Sequence, residues 1–388
     1  MNKFPKNFYF GAATASHQVE GNNLNDWTEW EKINADRLAK RSGDKPSDHV
    51  SGQATNHYEL FEKDLDLMKS LGLNAYRFSI EWSRIEPQKG QFNQKEIEHY
   101  QKVVKACRER RIEPFITLWH WTIPLWLRDE GGWENKKIIG YFTNYAKKIV
   151  ENLPEVKFWI TLNEPGVYVN KSYRQGDWPP QKRNIFTYFK VLNILASAHS
   201  RAYQVIKKIN PNSQIGIAHH LTDIGGFRPL AKTASWWAND HFINKIGSYQ
   251  DFIGVNYYFH VRLLQPRLNE KVSDMGWGLH PDGLYNVTKG LAKFNKPIYI
   301  TEHGLADAKD LNRGWYIEES LKYLEKAISE GADIRGYLHW SLLDNFEWWD
   351  GFWPRFGLIE VDYANDFKRT VRPSAYKYAE LIKKYRID

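Results

Sequence analysis

Two glutamates each close a run of apolar residues. In FWITLNEPGV, residues 158–167, five bulky residues lead into Asn163, Glu164 and Pro165, and in PIYITEHG Glu302 stands at the matching place. A carboxylate ending a buried strand is costly unless it is paired, protonated or in use. Two such groups facing each other suit glycoside hydrolysis. A separation of about 5–5.5 Å serves the retaining reaction, and about 6.5–9.5 Å the inverting one. The sequence leaves that separation open. At about 5 Å, with an effective dielectric near 20, the two charges repel by roughly 3 kcal/mol, enough to keep one carboxyl protonated near neutral pH. An arginine beside one member decides which stays ionised. Arg77 is the candidate neighbour of Glu302, with Tyr258 as a hydrogen-bond donor, which leaves Glu164 as the acid.

Other chemistries find less support. His120, His219, His220 and His303 are metal donors by type, but no HExxH or compact His/carboxylate spacing links them. His219 and His220 are adjacent on a strand, so their side chains point to opposite faces. There is no GxSxG nucleophile turn, and Cys107 falls within a helical stretch. Neither a metal nor a cofactor is expected.

The elements that must hold these residues are legible as strands alternating with helices. Strand-like runs lie at 8–15, 75–82, 113–121, 157–163, 213–219, 251–258, 297–302 and 335–341. Most are short and almost continuously apolar, as in a parallel sheet covered on both faces. Between them lie helical patterns such as NHYELFEKDLDLMKSLG, with Tyr58, Phe61, Leu65 and Met68 on one face and Gly72 at its end. Eight such units predict an α/β fold, a single (β/α)8 barrel over residues 1–388. Its chemistry would gather at the C-terminal strand ends. Those ends read Gln18 and Glu20, Arg77, His120-Trp121, Asn163-Glu164, His219-His220, Asn256 with Tyr257-Tyr258, Glu302-His303 and Trp340. A barrel that only had to be stable would not repeat polar and aromatic groups along one rim.

Composition narrows the class. Of 388 residues, 42% are hydrophobic and 26% charged, which makes a soluble globular chain with a sizeable core. There are 17 Trp, and aromatics reach 15%, offering flat faces to ligands that are half apolar. The net charge of +8 is spread along helix-like stretches, with no nucleic-acid motif. The one cysteine suits a reducing compartment, and MNKFPKNFYF carries no basic-then-apolar leader pattern. The reading is a cytoplasmic protein without nucleic-acid or membrane partners; a homo-oligomer is compatible with it.

Taken in order, the motifs resemble glycoside hydrolase family 1, the β-glucosidase and β-galactosidase family. The stretches are FYFGAATASHQVEG, YRFSIEWSRIEP, TLWHWTIPLWL, TLNEP, DFIGVNYY, YITEHG and HWSLLDNFEWWDGFWPRFGLIEVDY, and they span essentially the whole chain. The resemblance implies a retaining exo-β-glycosidase acting on a small β-glycoside or short oligosaccharide. It implies Glu164 as general acid/base and Glu302 as nucleophile. Gln18, His120, Asn163, Glu347 and Trp348 would bind the sugar's hydroxyls, Trp340 would be its stacking platform, and Trp121 would lie close by. Arg77, Asn256 and Tyr258 would hold or tune the nucleophile. Glu347 is kept in FEW and GFWPRFG follows it, which implies an unphosphorylated sugar. Three departures stand out: His303 where Asn is usual, WHW where HHW is commoner, and some thirty residues fewer between the fifth and sixth strands.

Overall fold

The computed structural model describes residues 4–265 and 271–386. Eight parallel strands form a closed barrel: β1 (Tyr9–Ala13), β2 (Ala75–Ser79), β3 (Glu113–Trp119), β4 (Phe158–Asn163), β5 (Gln214–His220), β6 (Ile253–Tyr257), β7 (Ile298–His303) and β8 (Ile334–Trp340). They follow one another round the barrel in chain order. β8 closes onto β1, with Tyr9 opposite Gly336 and Ala13 opposite Trp340. The predicted single domain also takes in residues 1–3, 266–270 and 387–388, which lie outside the described residues.

Each predicted run overlaps one barrel strand; the runs at 213–219, 297–302 and 335–341 miss one end residue, and those at 8–15, 75–82 and 113–121 overshoot. Their last residues leave the sheet while remaining apolar enough to look like strand. Trp121 shows why: at φ 76° it is in left-handed backbone and turns over the mouth. Helices pack outside, among them His57–Ser70, Gln94–Glu109, Ile138–Asn152, Ile185–Ile209, Arg313–Ser329 and Pro373–Tyr385. The helix at 57–70 buries Leu65 and Met68, and Gly72 follows at φ 74°. The helix Asp26–Ser42 is a further one that the sequence reading passed over. Its Asn25 caps it, accepting from the Thr28 amide while Thr28 Oγ1 accepts from the Asn25 amide.

The barrel's interior is divided by depth. Low in the bore, Phe115, Phe158, Phe252, Tyr299 and Leu338 form an aromatic plug, with Phe115 and Phe158 stacked at 4.1 Å. Nearer the mouth the inward residues become polar, and Arg77 is completely buried there. Two small sheets lie outside the barrel, Asp223–Gly226 with His260–Leu263 and Ile359–Asp362 with Lys368–Val371. The connection from β5 to β6, residues 221–252, holds only that first short strand and the helices Arg228–Ser235 and His241–Ile246, joined by a wider turn at Trp236–Asp240. Among the described residues no helix is long and apolar enough to cross a membrane.

Candidate active site

A cavity of about 360 Å³ opens at the C-terminal end of the strands, and both Glu164 and Glu302 line it. Each is almost wholly buried. Glu164 follows the last residue of β4 at φ 42°, ψ 58°, a left-handed conformation rare for a residue with a Cβ. Such strain costs on the order of 1–3 kcal/mol and gathers at functional sites. Pro165 then opens a short helix, Pro165–Val169, so the strand ends where the carboxylate must turn inward.

Arg77 ties the site together. From β2 its Nε donates to Thr117 Oγ1 on β3 (3.0 Å), Nη2 to Asn163 Oδ1 on β4 (2.7 Å), and Nη1 to Glu302 Oε1 on β7. Tyr258 Oη donates to the other oxygen, Glu302 Oε2, at 2.7 Å. Burial pushes the Glu302 carboxyl up to about 7, with the Glu164 charge adding to it and Arg77 and Tyr258 opposing.

The same arginine sets a proton two residues away. Asn163 Oδ1 accepts from Arg77 and from Asn256 Nδ2, so its amide nitrogen faces His120 Nε2 at 3.0 Å. His120 Nε2 must then be the acceptor, and the proton sits on Nδ1. Burial, followed by the Arg77 charge, drives that imidazole well below its usual pKa, so it stays neutral. Its Nδ1–H has no protein partner. Gln18 is the complement: its Nε2 donates to Asn345 Oδ1, the Phe346 carbonyl and Glu347 Oε2, leaving Oε1 buried and unpartnered. Each unmet buried group costs about 1–3 kcal/mol. An unpaired donor and an unpaired acceptor on the wall of one cavity suit a hydroxyl, which gives and takes a hydrogen bond. Glu347 also lines the cavity; burial, then the Asp350 and Glu302 charges, push its carboxyl well above the usual range.

Several expectations are corrected by position. Asn256, expected to tune Glu302, donates instead to Glu164 Oε1 at 2.8 Å and accepts from Thr301 Oγ1 at 2.7 Å. Its register opposite Glu302 on β7 brings it near, but the pleat sends its amide toward β4. Trp121 lines the cavity, yet its indole N–H is taken by the Asn163 carbonyl at 3.0 Å, so it contributes surface and no donor. Gln18 sits on the short helix Ser16–Val19, beyond the strand. Glu20 points away, to Arg84 (3.0 Å) and Tyr100 (2.7 Å). His219 packs beside Phe242, and burial lowers its pKa to about 3. His303 turns outward, with Nδ1 2.8 Å from Tyr337 Oη and its ring stacked on Tyr316.

Trp340 and Trp348 line the cavity, and each ring lies near-parallel to His120. Gly304 makes the β7–β8 approach possible: a Cβ there would stand 1.7 Å from the Trp340 carbonyl oxygen. The sequence reading did not single out Phe259, Met275, Trp277, Lys171 or Trp349, all of which line the cavity. His220, expected at its strand end but given no role there, also belongs to the site: its Nδ1 is 3.6 Å from Glu164 Oε1 and its ring lies beside Phe259. The signal for His220 was present in the strand alternation: if His219 faces out, His220 faces in.

The comparisons with known proteins agree with this geometry. The model of glycosyl hydrolase family 1 matches residues 1–235 and 230–387. The two pieces meet in the β5–β6 connection, where the sequence reads short. The chain is 33% identical to "Beta-glucosidase A" of Thermotoga maritima, covering 99% of this chain and 98% of that one. The aligned length is 447, against 388 residues here, so that relative carries segments this chain lacks. A solved beta-glycosidase from Pyrococcus horikoshii is 39% identical over 100% of this chain and 99% of its own, with a TM-score of 0.89. A Thermotoga maritima beta-glucosidase solved in complex with galacto-hydroximolactam is 30% identical, covers 100% of both chains and gives a TM-score of 0.87. With the barrel, the two glutamates on its rim and a family match across the chain in agreement, the protein belongs to glycosyl hydrolase family 1.

Proposed function

We propose that the protein is a retaining, exo-acting β-glycosidase that hydrolyses unphosphorylated β-glucosides, β-galactosides or β-fucosides through a covalent glycosyl-enzyme intermediate. The observation that carries this reading is the asymmetry of the two carboxylates. Glu302 receives a guanidinium and a phenol hydroxyl, while Glu164 receives one amide and lies beside His220. In the first step Glu302 attacks the anomeric carbon as the bond to the leaving oxygen breaks, and Glu164 gives that oxygen its proton. In the second, Glu164 takes a proton from water, which displaces Glu302 with a second inversion. Gln18, His120, Asn163, Glu347 and Trp348 would hold the sugar, with Trp340 as the stacking surface. The chemistry needs no cofactor. One catalytic domain acting in the cytoplasm fits the single, buried Cys107.

A panel of aryl β- and α-glycosides, with the first product followed by NMR, tests the reading. Hydrolysis of the β-anomers with a β-configured first product is expected. No turnover by folded protein, or an α first product, overturns it.

The pH profile is a second check. Burial pushes the Glu302 carboxyl above its ordinary range, and once both carboxyls of the pair are protonated Glu302 cannot attack. The acid limb of kcat/KM, which reports the free enzyme, should therefore lie above the ordinary glutamate range. Tyr258→Phe removes a donor that favours the ionised form, so the limb should move to higher pH. A shift of the opposite sign in stopped or continuous rate assays would show that this contact does not set the limb.

A further inference from the structure

The sequence places most of the chain's charge excess in one stretch. Residues 182–250 hold nine Lys and Arg but only two Asp and no Glu, in a protein of net charge +8. The two acids are already engaged, Asp223 with Arg262 and Asp240 with Lys293. The basic residues Lys190, Arg228, Lys232 and Lys245 are exposed.

The same stretch carries large apolar side chains in solvent. Phe186 is 83% exposed, Phe227 54% and Trp237 51%, and Phe189, Leu230 and Trp236 are also exposed. Three of them touch. Phe189 on the helix Ile185–Ile209 meets Trp237 at 6.4 Å, and Trp237 meets Trp236 at 5.1 Å. Phe227 and Leu230 stand one turn apart at the start of the helix Arg228–Ser235. The Phe227 amide donates to the Leu263 carbonyl, next to Leu264, which is also exposed. This surface shares a rim with the catalytic cavity: Phe259, which lines the cavity beside His220, runs directly into the strand His260–Leu263.

We propose that this face docks on an anionic lipid bilayer. A contiguous exposed apolar patch marks an interaction site, and Trp and Phe set among Lys and Arg are what the headgroup region of a membrane takes up. Charge decides among the occupants. A second copy would set a basic face against a basic face, which disfavours self-association. Single-stranded nucleic acid would use the charges and the rings, but Leu230 and Leu264 offer it no stacking surface. A bilayer with anionic headgroups matches both the charge and the aliphatic exposure. Docking of this kind needs no spanning segment. It revises the expectation of no membrane partner, because the basic residues that looked like scattered solvated faces are gathered beside exposed aromatics.

Sedimentation of the full chain with phosphatidylcholine vesicles, with and without phosphatidylglycerol, tests the proposal. Binding is expected only with phosphatidylglycerol, weakening as salt rises, with a blue shift of tryptophan fluorescence. The double variant W236S/W237S should bind roughly tenfold or more weakly, and R228E/K232E should lose the anionic preference. Both should hydrolyse a soluble aryl β-glycoside as before, which confirms their folding. No sedimentation with phosphatidylglycerol, or equal binding by W236S/W237S, overturns the proposal. So does equally tight binding of an oligothymidylate, or a dimer in analytical ultracentrifugation that W236S/W237S abolishes.

Discussion

Replacing Glu302 by alanine is expected to lower kcat by on the order of 10⁵–10⁶-fold for every aryl β-glycoside, leaving group notwithstanding. The size of the effect follows from what the side chain does. No other carboxylate in the cavity has both Arg77 and Tyr258 on its oxygens, so none is held to attack the anomeric carbon. Truncation also leaves Arg77 buried with its remaining partners Thr117, Asn163 and the Thr301 carbonyl and an uncompensated charge. The space vacated by the carboxylate would admit a small anion. With azide present, attack from that side should give the α-glycosyl azide from a β-substrate, because only one displacement takes place. Rates by chromophore release and product configuration by NMR check both parts. A β-azide from Glu302→Ala would reverse the assignment of the two glutamates.

Glu164→Ala should behave differently, and the difference is the more discriminating result. Loss of the general acid is expected to cost about 10²–10⁴-fold for alkyl β-glycosides, whose leaving oxygen needs a proton. A dinitrophenyl glycoside needs no such help, so its first step should hardly change. The second step then lacks a base, so the glycosyl-enzyme accumulates and a burst appears. Azide should relieve that block and give the β-azide, retained after two displacements. The contrast between leaving groups is read from kcat/KM across an aryl series. A uniform loss across the series would mean that Glu164 supports the fold or binding instead of supplying protons. The left-handed backbone at Glu164 bears on this, since alanine there is as strained as glutamate and the variant keeps the same local geometry.

Much of the fold is legible in sequence because a parallel barrel writes itself simply. Strands buried on both faces must be apolar throughout, and the helices between them must be apolar on one stripe. That pattern locates all eight strands and most of the long helices. The strand ends are less legible. His120 and Trp121 are as apolar or as aromatic as the strand before them, so nothing in the pattern says where β3 stops. The helix at 26–42 is dense in charge, and its buried Trp27, Trp30 and Leu38 did not stand out in that background.

By itself the sequence determined the barrel, the order of its strands and the positions of Glu164 and Glu302 at the rim. It could do so because periodicity and strand-end position are properties of a single chain segment. Only the tertiary structure decided how the rim residues pair. Asn256 could have served either glutamate, and the pleat of β6 gives it to Glu164. The proton on His120 depends on Asn163, and Asn163 depends on Arg77, a chain of contacts across β2, β3 and β4. The exposed aromatic face joins Phe189 to Trp237 across 48 positions of chain. Hydrogen-bond partners and surface patches are relations between segments distant in sequence, so they exist only once the barrel has brought those segments together.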